Sequence, residues 1–158
     1  MSETADTKPN VSETKTASQN SLVTAKTIIK ADSSGWFSHG RTYSQQRHSP
    51  LKEINTEIVA ELSLHWSYDL GTSGGIEATP IVHDGIMYVT STRNIVHAID
   101  ARTVKQLWRF DAIVDKEQAG KACCDKVNRG VAIWGDAIFT ASIDVRLISL
   151  DAKTGLKN

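Results

Sequence analysis

Short apolar segments, each bounded by a polar turn, run through the second half of this 158-residue chain. They are rich in β-branched and aromatic side chains, and two of them follow the turn pairs Asp84-Gly85 and Gly135-Asp136. No sustained 3.6-residue period accompanies them, so the pattern favours strands over helices. The predicted strands cover residues 86–90, 95–99, 106–111, 137–141 and 147–150.

Two stretches of the chain are copies of each other. Residues 80–104 and 131–155 align without gaps, and the aspartates of their Asp-Ala-Arg/Lys-Thr units set the offset at 151 − 100 = 51 residues. A fixed period of this length, with several short strands in each copy, is typical of the blades of a β-propeller. Asp100 and Asp151 are therefore interpreted as turn residues that follow a strand, not as catalytic groups.

The repeat also predicts how much of a propeller is present. A copy of Trp108 would fall at position 108 + 51 = 159, one residue beyond Asn158. We therefore expect an all-β fragment that contains only the first two or so blades and ends within a blade, whereas a closed propeller has about 4–8 blades. Residues 64–69 repeat the Trp-x-aromatic-Asp pattern of residues 106–111, which predicts a further strand there.

Composition divides the chain into two parts. Residues 1–34 contain neither glycine nor an aromatic residue and are predicted to be a disordered leader, while residues 35–158 form the propeller part. The leader has no apolar run long enough for a secretory signal. Lys+Arg and Asp+Glu are 18 each, so the charge balance gives no reason to expect a nucleic-acid partner.

Cys123 and Cys124 are adjacent and are the only cysteines. Neighbouring residues lie closer together than an ordinary disulfide prefers, so a bridge between them would close a strained ring. Two reduced thiols that behave as small hydrophobic side chains are the alternative. The sequence contains no Cys-x-x-Cys-His haem motif, and no metal-ligand spacing occurs among the histidines, which are His39, His48, His65, His83 and His97.

An ordered set of motifs resembles a known family. Residues 35–51 read GWFSHGRTYSQQRHSPL, residues 75–80 read GIEATP, residues 123–130 read CCDKVNRG and residues 150–155 read LDAKTG. Together they are similar to the N-terminal part of the alcohol dehydrogenases that depend on pyrroloquinoline quinone (PQQ), the quinoproteins and quinohaemoproteins. The similarity extends from about Gly35 to Asn158.

The resemblance implies an eight-bladed propeller that binds PQQ and calcium near its axis. Such enzymes oxidise alcohols to aldehydes in the periplasm and pass electrons to a cytochrome c or to a membrane quinone. Cys123 and Cys124 match the family's vicinal disulfide, against which the quinone lies, and Glu77 and Arg129 match two cofactor-contacting residues.

Other parts of the family's machinery match nothing in this chain. The resemblance places the calcium ligands and the catalytic aspartate in later blades, so no residue here is assigned to catalysis or to a metal. The sequence leaves open which alcohol is oxidised, whether calcium or a lanthanide is bound, whether haem c is present and which oligomer forms.

A non-catalytic propeller scaffold of the outer-membrane assembly type is the alternative function. Such a scaffold would need the repeat, but it would have no use for Cys123, Cys124, Glu77 and Arg129 together. Taken singly, Glu77 and Arg129 could equally be solvated surface charges.

We predict a disulfide between Cys123 and Cys124 in the complete protein expressed in the periplasm. Intact mass after alkylation, with and without prior reduction, measures it. Two thiols that alkylate freely in native, unreduced protein would contradict the prediction.

Overall fold

The computed structural model describes residues 22–31, 33–115, 117 and 126–158. Seven strands and one α-helix account for most of its regular structure. In chain order these are α1 (Ala25–Lys30), β1 (Ile81–His83), β2 (Ile86–Ser91), β3 (Ile95–Asp100), β4 (Gln106–Asp111), β5 (Ala132–Trp134), β6 (Ala137–Ala141) and β7 (Leu147–Asp151). Single 3-10 turns occupy Val59–Glu61 and Thr92–Asn94.

The strands form two antiparallel sheets in which sequential strands are neighbours. The first sheet has the order β1-β2-β3-β4 and the second has the order β5-β6-β7. All five runs predicted from the hydrophobic pattern are strands, and the bounds of β4 and β6 agree with the prediction to the residue. The three-residue strands β1 and β5 were not predicted, because so short a segment carries little periodicity of its own.

The two sheets repeat each other hydrogen bond by hydrogen bond. The Ala101 amide donates to the Gly85 carbonyl at 2.9 Å, and the Ala152 amide donates to the Asp136 carbonyl at 2.8 Å. Ile99 pairs with Gln106 in the first sheet, and Leu150 forms the matching bridge with Lys157 in the second. The 51-residue repeat is therefore a structural repeat, as the sequence predicted.

The predicted turn role of Asp100 and Asp151 is confirmed. The Asp100 carboxylate accepts from the amides of Arg102 and Thr103, and these bonds lower its pKa from the usual value. The Asp151 pKa is lowered first by a hydrogen bond from the Thr154 hydroxyl and then by backbone amides. Both carboxylates are thus acceptors that close a turn after a strand.

One cluster of buried apolar side chains joins the sheets, with Tyr88 and Trp108 of the first sheet lying against the turn after β7. The Tyr88 hydroxyl and Trp108 Nε1 both donate to the Ala152 carbonyl, at 3.1 and 3.0 Å. A Cβ at Gly155 would lie 2.6 Å from the Trp108 ring, so only glycine allows this approach. The other buried apolar members of the cluster are Val23, Ile28, Phe37, Ile81, Val96, Ala98, Ala112, Ile133, Ile138, Ile148, Leu150 and Ala152.

The N-terminal segment corrects one prediction. Residues 22–31 lie inside the segment 1–34 that the sequence predicted to be disordered, yet they contain α1, which begins after a capping box at Thr24. Val23 is fully buried and forms a two-way backbone bridge with Gly135 in the turn between β5 and β6. For residues 22–31 the prediction of disorder is therefore wrong, because contacts with the second sheet order a segment whose composition is polar.

Residues 64–69 correct another prediction. They form no strand, and the Leu64 side chain is 83% exposed. The segment does touch the first sheet, where the Tyr68 hydroxyl donates to Gln106 Oε1 at 2.9 Å. The Trp-x-aromatic-Asp pattern is similar to that of β4, but a strand also requires a hydrogen-bonding neighbour, which sequence similarity does not supply.

The two copies share a left-handed backbone conformation at one turn position but place different residues there. Val104 has φ of 60° and the equivalent Gly155 has φ of 72°. A β-branched residue is strained in this left-handed region, whereas glycine is not. We expect Val104→Gly to raise the free energy of unfolding by about 1 kcal/mol, because relief of that strain outweighs the added chain entropy.

The reciprocal change should have the opposite sign. Gly155→Val adds the same strain and also overlaps Trp108, so we expect a loss of about 3 kcal/mol or more. Urea unfolding of the two variants and the parent measures both effects. Equal urea unfolding midpoints for the two variants would contradict the assignment of backbone strain to Val104.

Candidate functional site

The fold brings together Glu77 and Arg129, which are two of the four predicted cofactor-contacting residues. Arg129 Nη2 lies 3.0 Å from Glu77 Oε2, and the two side chains are 74% and 46% exposed. The pair places a carboxylate and a forked, permanently charged guanidinium side by side on an open surface. That surface can receive a ligand with anionic and hydrogen-bonding groups.

Backbone contacts position these two residues. The Thr79 amide donates to the Arg129 carbonyl at 3.3 Å, which ties the segment that carries Glu77 to the segment that carries Arg129. Gly130 has φ of 123°, and a Cβ there would lie 2.9 Å from the Thr79 carbonyl oxygen. The glycine after Arg129 is therefore required for the two segments to approach so closely.

The Asn128 side chain connects the same segment to both sheets. Asn128 Oδ1 accepts from the Thr90 hydroxyl at 2.9 Å and from the Gly130 amide at 2.8 Å. Asn128 Nδ2 donates to the Ala141 carbonyl at 3.0 Å. Arg129 is thus flanked by a side chain that is attached near the end of β2 and at the end of β6.

The start of the segment is attached as well. The Arg93 amide donates to the Lys126 carbonyl at 2.9 Å, from the turn between β2 and β3. Asn94 in that turn donates to the Ala141 carbonyl and accepts from the Ile143 amide. The turn therefore bonds to residues 126–130 and to the second sheet at once.

Cys123 and Cys124 lie outside the described residues, so their predicted disulfide stays a prediction. The described chain resumes at Lys126, two residues after Cys124. Residues 126–130, which the bonds above attach to both sheets, are called the anchored segment below.

Two contributing residues were not identified from the sequence. Asn128 lies in the CCDKVNRG motif and Thr90 lies in a predicted strand, but neither the motif nor the strand pattern indicates a role at the site. The Asn-x-Gly spacing of residues 128–130 is a signal for an asparagine turn and could have suggested the bond to Gly130. The bond between Thr90 and Asn128 had no such signal, because it depends on the packing of a loop against a strand.

Residues 22–31, 33–115, 117 and 126–158 contain no group of three or more His, Cys, Asp or Glu side chains placed to bind a metal ion. In the described part of the chain, no helix has the length and apolar character that a membrane crossing requires.

Comparison with known proteins connects this geometry to a family. Residues 36–158 match the family model described as the β-propeller domain of PQQ glucose, ethanol and alcohol dehydrogenases. A solved quinohaemoprotein alcohol dehydrogenase, ADH IIG from Pseudomonas putida HK5, superposes with a TM-score of 0.83 at 47% identity, covering 85% of this chain and 20% of that one.

Curated relatives agree with this match. The chain is 52% identical over 120 residues to quinohaemoprotein alcohol dehydrogenase ADH IIB of Pseudomonas putida, and 50% identical over 120 residues to a 1-butanol dehydrogenase (cytochrome c) of Thauera butanivorans. In each case the match covers 76% of this chain and spans 17% of the relative's length. The match over residues 36–158 shows that the chain belongs to the family of PQQ-dependent alcohol dehydrogenase β-propellers, and the repeated antiparallel sheets agree with it.

Proposed function

We propose that this chain supplies the first blades of a PQQ-dependent alcohol dehydrogenase, and that Glu77 and Arg129 bind the quinone. The contact between these two side chains carries the proposal, because the fold joins the two charged residues that the family motifs single out. The relatives' names support an alcohol as the substrate class, and the name of the Thauera butanivorans relative supports cytochrome c as an electron acceptor. A membrane quinone is the alternative acceptor.

The charges of the two residues fit the cofactor. PQQ is a planar quinone that bears three carboxylates, so its site requires cationic and hydrogen-bonding groups at the rim. An exposed ion pair contributes only about 0–1 kcal/mol, so the Arg129 guanidinium can leave Glu77 at small cost. A hydrogen bond to a charged group in a less solvated site is worth about 1.5–3 kcal/mol, which favours the contact with a ligand carboxylate.

The tasks of this chain are binding and orientation. When bound, PQQ supplies the two-electron oxidising power for conversion of an alcohol to an aldehyde. Arg129 would donate hydrogen bonds to a carboxylate or quinone oxygen of PQQ, and the Glu77 carboxylate would accept hydrogen bonds at the same edge of the cofactor. The base that removes the alcohol proton and the calcium ligands are proposed to come from other parts of the enzyme.

The cysteine pair extends the proposal. A disulfide between Cys123 and Cys124 would give the cofactor a flat, apolar neighbour next to the anchored segment 126–130. A bridge of this kind requires an oxidising compartment, which supports a periplasmic location.

Replacement of Arg129 tests the proposal in the complete enzyme. We expect Arg129→Ala to weaken PQQ binding by about ten- to a hundredfold, because a charge-assisted contact is lost. Arg129→Lys should recover little of this affinity, since an ammonium group cannot reproduce the planar fork. Titration of purified apoenzyme with PQQ at fixed calcium, followed by absorbance, gives the three dissociation constants.

Arg102 provides the matched control. It is an exposed arginine in the turn after β3, where its amide donates to the Asp100 carboxylate. Arg102→Ala should leave PQQ affinity unchanged. Equal affinities for Arg129→Ala and Arg102→Ala would return Arg129 to the status of a solvated surface charge. Absence of PQQ binding by the unsubstituted enzyme would favour the scaffold function instead.

A further inference from the structure

We infer that Asn128 is a positioning residue for Arg129, and that the Thr90 hydroxyl fixes Asn128 in turn. The inference rests on the proposed function, since it concerns how Arg129 is presented to the cofactor. It adds two residues that do not themselves need to touch the quinone.

The hydrogen bonds of Asn128 determine which way its amide faces. Oδ1 accepts two bonds, from the Thr90 hydroxyl and the Gly130 amide, while Nδ2 donates to the Ala141 carbonyl. A rotation of the amide by 180° would place an NH₂ group against the Gly130 N–H and an oxygen against the Ala141 oxygen. Both contacts would be repulsive, so the Gly130 amide and the Ala141 carbonyl impose one orientation, to which the Thr90 hydroxyl adapts by donating to Oδ1.

Two of the partners, Thr90 and Ala141, belong to paired strands. Thr90 is fully buried in β2, where it pairs with Val96 of β3. Ala141 is the last residue of β6 and pairs with Leu147 of β7. The Asn128 amide therefore spans the two sheets, and two of its three hydrogen bonds are to residues of strands.

Arg129 lies between two of these attachments. Its preceding residue is bonded to both sheets, its own carbonyl accepts from the Thr79 amide, and the amide of its following residue donates to Asn128 Oδ1. The Arg129 side chain is long and largely exposed, so no packing of its own determines its direction. The backbone held by Asn128 is consequently what aims the guanidinium at Glu77 and at a ligand beside it.

Accurate placement matters more than stability at such a position. A contact between a guanidinium and a carboxylate depends on distance and alignment, and displacements of about 1 Å at a binding site can be costly. Loss of the Asn128 amide would leave Arg129 chemically intact but free to move away from the cofactor.

A double-mutant cycle in the complete enzyme separates this role from a general loss of stability. We expect Asn128→Ala to weaken PQQ binding about tenfold in the parent enzyme. In the Arg129→Ala background, the same change should alter affinity by less than about twofold, because Asn128 acts through a side chain that is already gone. PQQ titration of the four apoenzymes, with calcium held constant, measures the cycle.

Asn94 is the matched control. Asn94 is also an asparagine that donates to the Ala141 carbonyl, but its oxygen accepts from the Ile143 amide in the turn between β6 and β7. Asn94→Ala should lower the melting temperature while leaving PQQ affinity within about twofold of the parent. An Asn94→Ala variant that loses as much PQQ affinity as Asn128→Ala would overturn the inference. Loosening the contact between the two sheets at any point would then be enough to weaken PQQ binding.

Thr90→Val gives a second, milder test that also serves if Asn128→Ala does not fold. It removes the hydroxyl at nearly constant shape and leaves the bonds from Asn128 to Gly130 and Ala141 in place. We expect PQQ affinity to fall about three- to tenfold for Thr90→Val and to be retained for Thr90→Ser. Unchanged PQQ affinity in Thr90→Val would overturn the inference. So would an Asn128→Ala change that weakens PQQ binding equally in the parent enzyme and in the Arg129→Ala background. If Arg129→Ala itself had no effect, the proposed function would fail instead.

Discussion

The Trp108 and Tyr88 side chains both contact a single backbone carbonyl, that of Ala152. This contact determines how the two sheets pack together. Both side chains donate to the carbonyl, and Gly155 makes room for the indole ring. Because Trp108 belongs to β4 and Ala152 follows β7, this contact sets the spacing between consecutive sheets. A buried carbonyl with two donors is well satisfied, so the junction combines apolar burial with hydrogen bonds at little desolvation cost.

The candidate site depends on that spacing. Asn128 can bond to Thr90 in the first sheet and to Ala141 in the second only while the sheets lie at one distance. The backbone bond between Thr79 and Arg129 then places the guanidinium beside Glu77. The core is therefore connected to the candidate binding surface by a short series of hydrogen bonds through Asn128 and Arg129.

The two copies of the repeat share their turn hydrogen bonds but differ in the residue at one turn position. The turns at Asp100 and Asp151 close with the same backbone bonds, since the same geometry is needed after each third strand. The differences lie where partners differ: glycine occupies position 155 beneath Trp108, while Val104 occupies the equivalent position at the cost of a positive φ. Glycine is therefore present at the left-handed turn position where the Trp108 ring leaves no room for a side chain. At the equivalent position of the first copy a valine with a positive φ is tolerated.

The sequence by itself determined the repeat, the five longer strands and the family motifs that contain Glu77 and Arg129, because each is expressed in local periodicity or in fixed spacing. Tertiary structure decided the rest. It ordered α1 by burying Val23 against the second sheet, left residues 64–69 without a strand partner, and brought Asn128 to Thr90. These outcomes depend on which distant surface is available to a segment, and a segment's own sequence does not contain that information.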